Sequence, residues 1–233
     1  MGRMNSPTIV YKENTMLNTK IMHTILQKLA NDRLVFHSED DFKFALALQI
    51  KKEWPLAEIR LEYPVRSAMK NDKEKFLGDK YIDLLVAIGE TRFPIELKYK
   101  TKKFMFQIND EIFQLKNHSA PNENRYRFWR DVWRIEKFGF AKGFVIFLTN
   151  CNPTYSQGDG KGCDDVAFRI HDNRVAKSGT KSWRDSNSKT ASKKEFATPI
   201  KLTNEYTLHW ENFSEVAEEP RGKFQYLLLE VNK

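Results

Sequence analysis

Asp83, Glu96 and Lys98 stand within one stretch, Tyr81 to Lys103, that reads YIDLLVAIGETRFPIELKYKTKK. Alternation puts Ile82, Leu84, Val86 and Ile88 on one face of a strand and Tyr81, Asp83, Leu85 and Ala87 on the other. Gly89-Glu90 suits a two-residue hairpin, with glycine first as a type II′ turn prefers. Cross-strand partners are then Ile88 with Thr91, Val86 with Phe93, Leu84 with Ile95 and Ile82 with Leu97. The same register sets Asp83 opposite Glu96, with Cβ atoms about 4.5–5.5 Å apart, and Lys98 projects from that face two residues on. Two carboxylates forced together repel, so something positive must lie between them. Lys98 alone would make a structural salt bridge. A hard cation is the other solution, because Mg²⁺ takes one or two carboxylates and keeps several waters, and a lysine beside it can orient or deprotonate a water or balance a phosphate.

These residues need elements to hold them. Ile21, Met22, Ile25, Leu26 and Leu29 repeat at helical spacing and predict an amphipathic helix from Asn18 to Ala30. A second helix opens at Ser38 as N-cap, with Glu39, Asp40 and Asp41 in a first turn where the helix dipole favours acid, and stops before Pro55. Glu39 lies over Phe42, Lys43, Leu46 and Ile50 and leans inward, either as a capping carboxylate or toward the Asp83/Glu96 pair. Glu58 to Arg66 alternates as a half-exposed strand, and residues 67–79 read as a polar loop in which Lys70, Lys73 and Lys75, with Lys80 beyond, precede the site. After the hairpin the signals from Phe104 to Asn124 are mixed, a strand end and a short helix broken by Pro121. Arg125 to Phe138 predicts a helix ended by Gly139. Phe128, Val132 and Ile135 form its apolar stripe, and Arg127, Arg130, Arg134 and Lys137 mark another side. Those arginines can grip phosphate or pair with Asp131 and Glu136; Trp129 and Trp133 read as packing residues. Gly143 to Asn150 is a continuous apolar run, a strand buried on both faces.

An aspartate, then Glu-x-Lys across a hairpin, preceded by a helix carrying an inward glutamate and followed by a helix and a strand, resembles the PD-(D/E)XK nuclease superfamily. Ile82 replaces the proline of the motif. The resemblance covers about residues 38–150. It implies an α/β fold with a restriction-endonuclease-like αβββαβ core, a mixed central sheet flanked by helices, here followed by C-terminal strands. It also implies Mg²⁺ (or Mn²⁺) held by Asp83, Glu96 and the backbone carbonyl of Leu97. Lys98 would position water or stabilise the pentacoordinate phosphate, and Glu39 would hold a second metal or a metal-bound water. The implied substrate is nucleic acid, DNA first, with Lys100, Lys102, Lys103 and Arg134 as phosphate contacts. The alternative is a module of the same fold that binds nucleic acid or a protein partner without catalysis.

The 233 residues and net charge of +8 fit one domain with a polyanionic partner. The core spans about 38–150, a basic loop 151–195 and C-terminal strands 196–233; residues 1–15 read as loosely ordered. No apolar run is long enough for a bilayer and the N-terminus lacks the core of a signal peptide, so a cytoplasmic location is expected. Cys151 and Cys163, even with His171, lack a fourth zinc ligand and read as free thiols. Val166 to Ile170 reads as a short strand. The stretch from Arg174 to Lys194, basic with Trp183 among its lysines, reads as a clasp for a nucleic-acid backbone or as a plain surface loop. Strands are expected at Thr198 to Leu202, Tyr206 to Trp210 and Phe224 to Val231. No phosphate-binding GxxxxGK[ST] loop or nucleophile elbow is present. A paired cut of duplex DNA would need a homodimer, although no self-complementary interface is legible.

Overall fold

The computed structural model describes residues 16–65, 81–118, 120–157, 163–193 and 195–233. The expected N-terminal segment 1–15, the loop at 67–79, Lys80, Lys194 and the end of the first strand at Arg66 lie outside the described residues. The chain opens with α1 (Thr19–Asp32) and α2 (Glu39–Glu53). Both start on side-chain caps: Asn18 Oδ1 accepts from Ile21 N–H at 3.0 Å, and Ser38 Oγ from Asp41 N–H at 3.1 Å. Then come β1 (Glu58–Pro64), β2 (Tyr81–Ile88), β3 (Thr91–Lys100), β4 (Phe104–Ile108), β5 (Glu111–Leu115), α3 (Pro121–Lys137) and β6 (Lys142–Thr149). The rest holds a four-residue helix α4 (Asn152–Tyr155), short strands β7 (Val175–Ala176), β8 (Gly179–Lys181), β9 (Ile200–Leu202) and β10 (Tyr206–Thr207), and finally β11 (Trp210–Glu215) and β12 (Lys223–Asn232).

Six strands make one mixed sheet in the order β1-β2-β3-β6-β12-β11. β3 and β6 are parallel, and the other neighbours are antiparallel. Alternation decides which helix covers which face. Ile95, Leu97, Phe144, Ile146 and Leu148 pack with α1 and α2, whereas Val145, Phe147, Leu227 and Leu229 pack with Phe128, Trp129, Val132 and Ile135 of α3. β6 is buried from Gly143 to Thr149, as a continuous apolar run requires. The β2–β3 turn is as expected, since Gly89 has φ 58 and Glu90 is not among the positive-φ residues.

Several expectations are corrected. Phe104 to Leu115 is a hairpin, β4 with β5, and Pro121 is the first residue of α3 instead of a break before it. Val166–Phe168 is a single 3₁₀ turn and no strand. Its Phe168 is fully buried in a ring cluster with Tyr126, Trp183 and Phe196. Trp183 therefore belongs to the core and its indole N–H donates to Phe196 O at 2.8 Å, leaving no ring free to clasp a base. The last strands are β11 and β12, which extend the main sheet beyond β6, and β11 continues well past Trp210.

Gly143 lets α3 sit tightly on the sheet. A Cβ there would stand 2.7 Å from Ile135 Cγ2, 2.7 Å from Pro94 Cγ and 2.8 Å from Pro94 O. Gly143→Ala should cost about 1–3 kcal/mol by overpacking, read as a lower urea midpoint at unchanged slope. A variant as stable as the native chain would contradict this close approach.

Candidate active site

The β2–β3 ladder runs from Ile88 opposite Thr91 to Leu84 opposite Ile95, in the register expected, and pairs no further. From there β3 keeps its partner β6 on one edge and faces a gap on the other. Its buried N–H groups still need acceptors, and two acidic side chains supply them. Asp83 Oδ2 accepts from Leu97 N–H at 2.7 Å, and Glu39 Oε2 from Tyr99 N–H at 2.7 Å. The Asp83 charge acts on Glu96 and works against its ionisation, although the two residues are not ladder partners.

Charges converge on this gap from both layers. From α2, Lys43 is buried, with Nζ 3.3 Å from Asp83 Oδ1, 3.3 Å from Asp40 Oδ1, and bonded to Glu62. Glu62, in β1, has φ 49, a left-handed value that costs a non-glycine residue of order 1–3 kcal/mol. From α3, Asp131 and Arg134 are 0% and 4% exposed. Lys98 Nζ lies 2.7 Å from Asp131 Oδ2 and donates to Leu97 O at 3.0 Å. Arg134 Nη1 lies 3.4 Å from Glu96 Oε1 and 3.5 Å from Asp131 Oδ1, and its Nη2 donates to Tyr81 O.

Burial and charge oppose each other at every member. Burial works against the Lys98 ammonium, but Asp131 above all, then Glu39, Asp83 and Glu96, hold its pKa above the ordinary lysine range. Lys43 is raised in the same way, with Glu62 and Asp83 outweighing burial. Burial lifts Asp83, but Lys98, the Leu97 N–H and Lys43 bring it below the usual carboxylate value. Glu96 goes the other way. Burial, with Asp131 and Asp83 adding to it, pushes its pKa well up against the pull of Arg134 and Lys98, which disfavours its charged form.

The expected residues are thus divided among three settings. Asp83, Glu96, Leu97 and Lys98 are together. Glu39 reaches β3, but its oxygen lies on Tyr99 N–H and, at 2.7 Å, on Lys100 Nζ, so Lys100 is paired instead of free for phosphate. Arg134, expected on the outside, is inside the cluster. Lys102 and Lys103 follow β3, and neither forms an ion pair among the described residues; Lys102 N–H donates to Asn150 Oδ1 at 2.7 Å. Lys43 and Asp131 were missed as site residues. Their signal was a charge within the apolar stripe of its own helix: Lys43 between Phe42 and Leu46, and Asp131 at helical spacing from Phe128 and Ile135.

Two carboxyls and a carbonyl oxygen are donor types that Mg²⁺ takes. Glu96 Oε1 and both Asp131 oxygens are buried and make no well-formed hydrogen bond, but each already faces a cation, Arg134 for Glu96 Oε1 and Asp131 Oδ1 and Lys98 for Asp131 Oδ2. Among the described residues, however, no three of His, Cys, Asp and Glu converge closely enough to hold a metal by themselves. A cleft bordered by Asn122, Arg125, Pro153, Cys163, Asp165 and Arg169 opens at the start of α3, away from these groups; both cysteines are free thiols. No helix among the described residues is long and apolar enough to cross a membrane. No family model, curated protein or solved structure matches the chain.

Proposed function

We propose that this chain is a Mg²⁺-dependent nuclease that hydrolyses phosphodiester bonds in DNA, with the gap between β2 and β3 as its active site. One observation carries the reading: the Asp83 carboxylate accepts from the Leu97 N–H, the Lys98 ammonium rests on the Leu97 carbonyl, and the Asp83 charge acts on the adjacent Glu96. The order α2, β1, β2, β3, α3, β6, with β3 parallel to β6 and the β4–β5 hairpin inserted before α3, supports it, because without that hairpin it is the αβββαβ succession of the PD-(D/E)XK nucleases. When bound, Mg²⁺ supplies a Lewis acid for the phosphate and a water of lowered pKa.

The chain's own groups do the rest. Asp83, kept ionised by Lys43 and Lys98, offers a full negative charge to the cation. Glu96, on losing its proton to solvent, would be the second carboxylate able to hold the cation. Lys98, kept charged by Asp131, stabilises the developing charge on phosphate. Glu39 holds β3 in place through Tyr99 N–H, and Lys102 and Lys103 meet the phosphates beyond.

A second reading has its own observation. Lys98 on Asp131 and Arg134 on Glu96 make a buried ionic network that closes without a metal, which suits a module that binds nucleic acid or a protein partner without cutting. Calorimetry separates the two: the nuclease reading requires Mg²⁺ or Mn²⁺ to bind, and Asp83→Ala to abolish binding. Supercoiled plasmid, single-stranded DNA and RNA should then be tested with either ion. Metal-dependent cutting should fall by about 10²–10³ in Lys98→Ala. A folded native chain that binds no metal and cuts nothing would sink the nuclease reading.

A further inference from the structure

We infer that the β4–β5 ribbon is the element that seats this protein in the major groove of double-stranded DNA, an inference that rests on the proposed nuclease function. The ribbon has two unlike faces. Phe104, Phe106, Phe113 and Leu115 point to the core, with ring centroids 4.8 Å apart for Phe104 and Phe106, 5.3 Å for Phe106 and Phe113, and 4.5 Å for Phe113 and His37. This stack stiffens the ribbon from behind. The other face is open: Met105 pairs with Gln114 and Gln107 with Ile112, all four exposed, Met105 at 69% and Ile112 at 63%. Carried one step further, the register sets exposed Lys103 opposite exposed Lys116 at the base, and neither lysine forms an ion pair among the described residues.

That pattern fits one partner. The lysines are uncompensated charge placed where phosphates would pass. Above them, the Gln114 amide and the oxygen of Gln107, whose own NH₂ donates to Asn109 O at 2.6 Å, can read base edges, and apolar side chains can meet thymine methyls. A two-stranded ribbon is of a size that the major groove of B-DNA admits, whereas the major groove of an RNA duplex is too narrow for side chains to read. Single strands are bound by bases stacking on exposed aromatic rings, and every ring of this ribbon lies on its inner face. The acids at the tip do not alter the balance: Glu111 is held by His37 at 2.7 Å, and Asp110 lies farthest from the lysines.

The ribbon is also fixed relative to the proposed active site. Only Thr101, Lys102 and Lys103 separate β3 from β4. Thr101 is 2% exposed, its hydroxyl donates to Lys116 O at 2.7 Å, and its N–H donates to His118 Nδ1 at 3.1 Å. A ribbon in the groove would therefore bring the flanking backbone toward Lys98.

The test is binding without cutting: fluorescence anisotropy of the full chain in EDTA with a mixed-sequence DNA duplex, its single strand and the matching RNA duplex. The DNA duplex should bind about tenfold tighter than either of the others. Met105→Ser with Ile112→Ser should weaken duplex binding by about tenfold, or ~1.4 kcal/mol, at unchanged melting temperature. Lys103→Ala with Lys116→Ala should flatten the plot of log affinity against log salt by about 1.8, two phosphate contacts at ~0.9 each. Native-like duplex binding by both pairs would overturn the inference, leave the open face to a protein partner, and keep the nuclease reading intact as long as metal-dependent cutting persists. A native preference for single strands or RNA would overturn it as well. No binding and no cutting with any nucleic acid would remove both readings.

Discussion

Asp131→Ala should destabilise the protein by about 3–5 kcal/mol, the usual cost of removing one partner from a buried ion pair. Asp131 is fully buried, 2.7 Å from Lys98 Nζ and 3.5 Å from Arg134 Nη1. Its loss removes the nearest counter-charge of Lys98 and one of the acids facing Arg134. Because domains are stable by only about 5–15 kcal/mol, this is a large fraction of the whole, readable by urea denaturation. The double variant Lys98→Met/Asp131→Leu removes both charges and fills similar volume, so it should recover most of that stability. It also separates structure from chemistry. Under the nuclease reading the double variant is folded, melts near the native temperature and cuts nothing. A double variant that is stable and still cuts would remove Lys98 from the mechanism, and a harmless Asp131→Ala would deny that the pair is buried at all.

Glu96→Gln should stabilise the metal-free protein at alkaline pH and leave it unchanged in acid. In the folded chain burial raises the Glu96 carboxyl well above its ordinary value, chiefly by desolvation and then by Asp131 and Asp83. A group whose folded-state pKa is raised contributes stability that is fully present below the unfolded pKa, about 4.3 for glutamate, and lost as pH climbs through the folded value. The native melting temperature should therefore fall across that window. Glutamine, isosteric and uncharged, cannot lose a proton, so the fall should be smaller in the variant, and Arg134 keeps Asp131 and the Tyr81 carbonyl. In a chain of this size each kcal/mol moves the melting temperature by about 2–4 °C, so thermal scans at pH 4 and pH 8 suffice. Parallel pH profiles for the two proteins would show that Glu96 is ionised throughout. With Mg²⁺ added at pH 8, the native chain should gain stability and the variant should not.

What the sequence disclosed follows from where regular alternation governs. The register from Ile88/Thr91 to Leu84/Ile95 was legible because one face of β2 and β3 is wholly apolar and Gly89 fixes the turn. The helix cap at Ser38 and the start of α1 near Asn18 were legible for a similar local reason. The alternation ends where the site begins: beyond Leu84 the ladder opens, and Asp83 binds the Leu97 amide instead of sitting in a plain cross-strand pair with Glu96. Lys43 and Asp131 were opaque because a helical wheel shows an inward charge but not its partner on another element. The β4–β5 hairpin was obscured by FMFQINDEIFQL, whose apolar residues match helical and strand periods alike; the turn at Asn109, with φ 52, was the overlooked cue. At Val166 to Ile170 five residues were too few to set tertiary packing aside, and Phe168 turns into a ring cluster that no local pattern announces.

The outermost position of β1 has a consequence for self-association. Among the described residues, one side of that strand has no neighbour in the sheet, the template on which another chain could add. Glu58, Arg60 and Glu62 place charge along it, and Pro64 brings no N–H to its last position. Sheet-to-sheet continuation between two copies is thereby blocked. Two copies making a paired cut would have to meet elsewhere, and α2 presents Phe44 and Leu48, one helical turn apart and 55% and 54% exposed.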